Sequence, residues 1–256
     1  MSSGRLIASL ATALLLVSGL GYVASQTVLS SRAVVVADQP YVAAPRPSVQ
    51  QGGAQSGAQS GTQSRSAQRS GPAQVDPEWV QQTAEKAGIP APAVRAYANA
   101  QLAAPAGCDV GWTTLAGIGW VESHHGTIDG RTLGEDGHSS TPILGPALNG
   151  EGFAAIPASP SSTEWHGDPS WDHAVGPLQF IPSSWEMWAA DGDGDGAEDP
   201  NDLDDAALAA VGYLCASGAD LTTGEGWADA VFSYNHAQEY IDAVHAAASS
   251  YADRTG

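Results

Sequence analysis

Apolar residues recur at helical spacing through the last two-thirds of the chain, and no convincing run alternates as a strand would. In LDDAALAAVGYLCASG, Leu203, Ala207, Ala210, Val211 and Leu214 share one stripe, which predicts a helix with one buried face. GWADAVFSYN and AQEYIDAVHAAASSYA predict two more helices after it. Upstream, Asp76-Pro77-Glu78 is a helix start, with a capping Asp, Pro at the first helical position and an acid in the first turn. Gly88 ends that helix, PAPAVRAYANAQLAA begins another, and a third runs from about Trp112 to Glu122. Pro182 is followed by SSWEMWAA, a short helix expected to begin at a Ser cap. The fold class is therefore mainly α.

Two stretches break the pattern. Residues 126–175 are rich in Gly, Pro and Ser and show no period, yet they carry Phe153, Trp165 and Trp171. A loop this long is usually functional or disordered, and its aromatics argue against simple disorder; a small β element is expected within it. The other stretch reads GAQS GAQS GTQS at residues 53–64, inside a Gln/Ser/Gly-rich segment. That composition buries too little apolar area to offset ordering, so residues 32–74 are expected to be a flexible linker. Ahead of it, residues 1–31 contain Arg5 and the uncharged run LIASLATALLLVSGLGYVAS. This is a signal peptide cleaved near Ala24 or Ser25, or an anchor of the same length, and both place residues 75–256 outside the cytoplasm.

Charge is unevenly divided. Residues 1–75 hold five Arg and one Asp, a net +4; residues 76–256 hold 27 acids against Lys86, Arg95, Arg131 and Arg254, a net −23. So acidic a body is repelled by phosphate backbones, which excludes nucleic acid as a partner by charge. Any polymer it binds must be held by shape, stacking and hydrogen bonds. The two cysteines, Cys108 and Cys215, are most simply a disulfide in an exported protein, the alternative being two buried thiols.

Residues 191–202 read DGDGDGAEDPND. Asp191, Asp193 and Asp195 take positions 1, 3 and 5 of an EF-hand-like calcium loop, with Gly196 at the turn. Ala197 would offer its carbonyl, Asp199 a water-mediated contact and Asp202 the final carboxylate. Two residues depart from the pattern: Asp202 is shorter than the usual Glu, and Glu198 replaces the apolar residue that joins paired loops. The expected role is structural Ca2+, and no organic cofactor is implied. The competing reading is an acidic turn whose Asp202 merely caps the next helix.

One position bears on function. In AGIGWVESHHG, a carboxylate, Glu122, ends a segment built for burial. A helix C-terminus disfavours negative charge and apolar surroundings desolvate it, so this acid is either an accident of the helix end or wanted in its protonated form. His124 and His125 lack the His-Glu-x-x-His spacing of a zinc site. Trp165 and Trp171 either stack on sugar rings or pin the long loop.

Three fragments, Glu122-Ser123, Gly176-Pro177-Leu178-Gln179-Phe180-Ile181-Pro182-Ser183 and Tyr234-Asn235, resemble lytic transglycosylases with a goose-lysozyme-like domain, closest to the membrane-bound type B and its actinobacterial branch. The Asp-rich loop after the Gln segment is part of the same resemblance. It implies an α+β lysozyme-like domain with a long irregular insertion, acting on peptidoglycan glycan strands. It also implies Glu122 as the single acid and base, forming 1,6-anhydro ends without water, with Ser123, Gln179, Tyr234 and Asn235 as substrate-binding or positioning residues. The rival readings are a hydrolytic muramidase, which would pair Glu122 with one of Asp109, Glu135, Asp136, Glu151 or Asp172, and an inactive glycan-binding or scaffold module. A calcium-sensing interaction protein is weakened by the single loop.

Overall fold

The computed structural model describes residues 46–50, 74–152 and 154–256. Phe153, the expected signal or anchor at residues 1–31 and the repeat at residues 53–64 lie outside the described residues. Among those described, no helix is long and apolar enough to cross a membrane.

The architecture is mainly helical, as the periodicity predicts. α1 (Pro77–Ala87) is capped by the Asp76 carboxylate, which accepts the N–H groups of Glu78 and Trp79, and it ends at Gly88 in the left-handed conformation. α2 (Ala91–Leu102) follows at once. α3 (Trp112–Ser123) is buried on nearly every face, with Trp120 the exception. A helix without a polar face must lie inside others. Here α8 (Gln238–Thr255) and α2 flank it, α6 (Leu203–Ala216) packs on α2, and α7 (Gly224–Tyr234) joins α6 to α8. Trp227 Nε1–H donates to Thr114 Oγ1 at 2.9 Å, tying α7 to α3.

The approach of α3 to α8 is closer than side chains ordinarily permit. A Cβ on Gly117 would lie 2.7 Å from the backbone oxygen of Val244. The disulfide forms between Cys108, before α3, and Cys215, at the end of α6, across 107 positions. Closing a loop of that size contributes about 3–5 kcal/mol in the chain-entropy model.

Three sequence expectations change. The long insertion, expected to be irregular apart from a small β element, also contains a 3-10 turn at Ile128–Gly130 and a helix, α4 (Pro160–His166), begun by a Ser159–Ser162 capping box. Isolated bridges join Leu144 to Val175, Asn149 to Ala155 and Pro157 to Trp171, folding the insertion back on itself. The missing periodicity reflects elements too short to show one. Secondly, α5 (Pro182–Trp188) begins with Ile181 at its cap position and no side-chain cap; Pro182 starts it instead. Finally, residues 46–50, within the stretch read as linker, lie against the start of α1. Val49 bridges Val75, Asp76 N–H donates to the Ser48 carbonyl at 2.7 Å, and Pro47 is buried.

The Gly117 contact gives a direct test of how rigidly α3 is held. Gly117→Ala is expected to destabilise the domain by about 1–3 kcal/mol, the range for overpacking a close interface. An unchanged urea midpoint would show that α8 can simply move aside.

Candidate active site

Glu122 sits in the last turn of α3 with 5% of its surface exposed. Tyr240, in the first turn of α8, donates its hydroxyl to Glu122 Oε1 at 2.7 Å. Burial pushes the carboxyl up to about 8, against the opposing pull of the Tyr240 hydrogen bond. Since Oε1 accepts from Tyr240, the acid proton belongs on the other oxygen.

The chain leaves α3 through an abrupt reversal. His124 (φ 51°), His125 (φ 60°) and Gly126 (φ 80°) are all left-handed, and two of them are not glycine. Such residues are held only where their surroundings over-determine them. His125 provides that: its buried ring lies between the hydroxyls of Tyr97, 3.1 Å from Nδ1, and Tyr251, 2.9 Å from Nε2. Burial lowers its pKa to about 3, so the ring stays neutral. Ser123 is fully buried; its hydroxyl donates to the Pro177 carbonyl at 2.6 Å and accepts Gly126 N–H at 2.8 Å. Through these bonds it braces the reversal against the Gln179 segment.

That segment is a tight hairpin. Val175 and Phe180 exchange backbone hydrogen bonds of 2.8 and 3.0 Å around Gly176–Gln179. Gln179 is left-handed (φ 52°) and buried, and its Nε2–H donates to the Gly176 carbonyl at 2.9 Å. Tyr234 secures the hairpin, donating its hydroxyl to the Leu178 carbonyl at 2.9 Å. Its ring lies parallel to that of Tyr240, 6.5 Å away. Asn235 caps the end of α7 and is buried, and its Nδ2 has no hydrogen-bond partner among the described residues. Glu122, Ser123, the Gln179 hairpin and Tyr234 thus share one linked set of contacts.

Tyr240 was not singled out by the sequence. Its signal was a tyrosine on the apolar stripe with Ile241 and Val244, since a buried tyrosine hydroxyl usually needs a partner.

The acidic loop departs from its expected ligand set. Oxygens of Asp191, Asp193 and Asp205 lie within 4.8 Å of one another. Asp191 accepts the N–H groups of Gly194 and Gly196, and Asp205 accepts those of Gly192 and Asp199. Asp202, expected to close the loop, instead caps α6 through Asp204 N–H at 2.8 Å. There burial pushes its carboxyl up to about 7. The chain turns into α6 at Asp202, so the carboxylate facing back over the loop comes from one turn later. Asp195 is exposed and accepts Ala197 N–H at 2.7 Å; Asp199 accepts Asn201 N–H at 2.8 Å. Three converging carboxylate oxygens suit a hard cation, and the negative charge of Asp193 and Asp191 adds to burial in raising Asp205.

Residues 161–247 match the sequence pattern of the family described as the transglycosylase SLT domain. That span holds Gln179, the acidic loop, Tyr234, Asn235 and Tyr240, but not Glu122. No curated protein sequence matches the chain. Among solved structures, the chain is similar to Escherichia coli lytic transglycosylase SLT35 in complex with bulgecin A. Identity is 17% and the TM-score 0.40, covering 68% of this chain and 77% of that one. The same enzyme in complex with calcium is similar at 17% identity and TM-score 0.40, covering 68% of this chain and 78% of its own.

The buried acid carries a signed prediction. Its folded pKa, raised to about 8, lies above the unfolded value, so the stabilising effect of the bound proton is complete below about pH 4.5 and is lost as pH rises to 8. Glu122→Gln cannot ionise, so its melting temperature should exceed the wild type's by more at pH 8 than at pH 5. A gap that shrinks with pH would mean the acid is ionised in the native state.

Proposed function

We propose that the chain is a lytic transglycosylase acting on peptidoglycan, with Glu122 as its acid and base. The observation that carries this reading is a buried carboxyl that stays protonated to about pH 8, in a domain matching the SLT pattern. Glu122 gives its proton to the oxygen between N-acetylmuramic acid and N-acetylglucosamine as that bond breaks. The substrate's N-acetyl oxygen stabilises the anomeric carbon. The Glu122 carboxylate, still hydrogen-bonded by Tyr240, then takes the proton of the C6 hydroxyl, whose oxygen closes the 1,6-anhydro ring. The acid ends protonated and no water is consumed.

Among the described residues, none of the carboxylates that a hydrolytic route would recruit shares a hydrogen bond with Glu122 or Tyr240. Asp109, Glu135, Asp136 and Glu151 are exposed, and Asp172 is buried but faces His166 Nε2 at 3.2 Å. The unpartnered Nδ2 of Asn235 is a donor for an acetamido carbonyl. Gln179 is assigned to the substrate, while Tyr234 and Ser123 hold the frame of the site. The order of the Glu122, Gln179, acidic-loop and Tyr234-Asn235 motifs favours the membrane-bound type B and its actinobacterial branch. A wall substrate places the domain outside the cytoplasm, with residues 1–31 as export signal or anchor and residues 32–74 as linker.

Calcium in the acidic loop has a structural role in this reading, with Asp191, Asp193 and Asp205 as its carboxylate ligands. EDTA should lower the melting temperature of wild type and of Asp202→Asn, and leave Asp205→Ala unchanged. A wild-type melt insensitive to EDTA would count against the metal.

The activity test is mass spectrometry of fragments released from purified peptidoglycan. Wild type should yield 1,6-anhydro-N-acetylmuramic ends, with a rate that falls as pH passes about 8. Glu122→Gln should fold and release none. Reducing ends in their place would make the enzyme a hydrolase.

A further inference from the structure

Two histidine–aspartate pairs brace the insertion where it meets the Gln179 hairpin, and the proposed chemistry uses neither. His166, the last residue of α4, has a side chain closed to solvent. Asp168 N–H donates to its Nδ1 at 3.1 Å, so the ring proton belongs on Nε2, which faces Asp172 Oδ1 at 3.2 Å. His173 has the opposite arrangement. Its Nδ1 lies 2.8 Å from the Gly145 carbonyl oxygen, which can only accept, so Nδ1 carries a proton. Its Nε2 lies 3.3 Å from Asp168 Oδ2. A neutral ring donates to one of these oxygens; only the imidazolium donates to both.

The peptide held by His173 is part of the site. Gly145 N–H donates to the Ala174 carbonyl at 2.9 Å, and Gly176 N–H to that of Ile143 at 2.9 Å, which lays residues 143–145 along the base of the hairpin. A Cβ on Gly145 would lie 2.8 Å from Gln179 Oε1, so the Gln179 amide rests against this backbone. At the other end, Asp168 accepts Ser170 N–H at 2.7 Å and Trp171 N–H at 3.3 Å. The Ser170 bond first, and then His173, draw its carboxyl below the usual range.

We propose that His173 is a positioning residue for Gln179 and that it works as a proton-dependent clasp. With the ring doubly protonated, it joins the Asp168 turn to the Gly145 peptide; when the second proton leaves, the Asp168 end opens and the wall behind Gln179 loosens. The role rests on reading Gln179 as part of the transglycosylase site. The groups facing the ring are Asp168, His166, whose ring centroid is 5.0 Å away, and Asp172 beyond it. α4 also brings the exposed Glu164, while residues 143–148 and 176–180 carry no titratable side chain.

The first test is 15N NMR of the imidazoles across a pH titration of the wild-type protein. His173 should show a doubly protonated ring in acid and the Nδ1–H tautomer after titration, with the Gly145 backbone amide and the Gln179 side-chain amide shifting at the same midpoint. His166 should keep its proton on Nε2. A neutral Nε2–H tautomer at His173, or a Gln179 amide indifferent to its titration, would overturn the clasp. The second test is kinetic. His173→Asn retains a donor for the Gly145 carbonyl but cannot titrate, so the wild-type fall in kcat at the His173 midpoint should vanish in it. His173→Ala should lose roughly ten-fold in kcat with KM little changed, a loss of alignment that Asn restores. Matching pH profiles for wild type and Asn would refute the proposal. Should wild type release no fragments at all, the transglycosylase reading fails, while the NMR titration still decides the clasp.

Discussion

A carboxyl group buried at the end of a helix with almost no polar face sets the terms for the rest of this structure. Glu122 cannot keep a charge there cheaply, because α3 supplies apolar neighbours and the negative end of its dipole. The structure answers with one hydroxyl, from Tyr240, and leaves the acid protonated near neutrality. Placing that hydroxyl requires α8 to run close along α3, which the bare backbone of Gly117 permits. The packing of the two helices and the state of the acid are one problem with one solution.

Ending α3 just past the acid imposes a second requirement. The reversal through His124 and His125 puts two non-glycine residues in the left-handed region, a strain of about 1–3 kcal/mol each. Tyr97 and Tyr251 hold the neutral His125 ring, and the Ser123 hydroxyl ties the turn to Pro177. These contacts reach α2, α8 and the Gln179 hairpin, so the strained turn is braced from three sides. Tyr234 completes the bracing from α7 by holding Leu178.

The acidic loop joins this framework from below. Gly176, in the hairpin, packs directly against the carbonyl of Pro200, so the order of residues 199–202 bears on the position of Gln179. The insertion also meets the hairpin, through Gly145, whose carbonyl oxygen lies against His173. The Gln179 hairpin thus touches both the acidic loop, through Gly176 and Pro200, and the insertion, through Gly145. Its geometry combines its own local hydrogen bonds with these more distant contacts.

The sequence by itself determined what depends on neighbours a few positions apart. The helices around Asp76, Leu203 and the carboxy terminus follow from periodicity and capping, and the Cys108–Cys215 pair from there being only two cysteines. The burial of Glu122 was legible too, from the apolar run before it. Only the tertiary structure decided what reaches that acid: Tyr240 lies 118 positions away, and nothing local distinguishes it from any other core tyrosine. The same holds for Asp205, whose carboxylate converges with those of Asp191 and Asp193 while Asp202 caps α6, and for Ser123, whose hydroxyl meets a carbonyl 54 positions on. α4 is not legible in the sequence, because a helix of seven residues leaves no period to read. Local order is written in spacing; the partners of a buried polar group are fixed only when distant segments pack and exclude water between them.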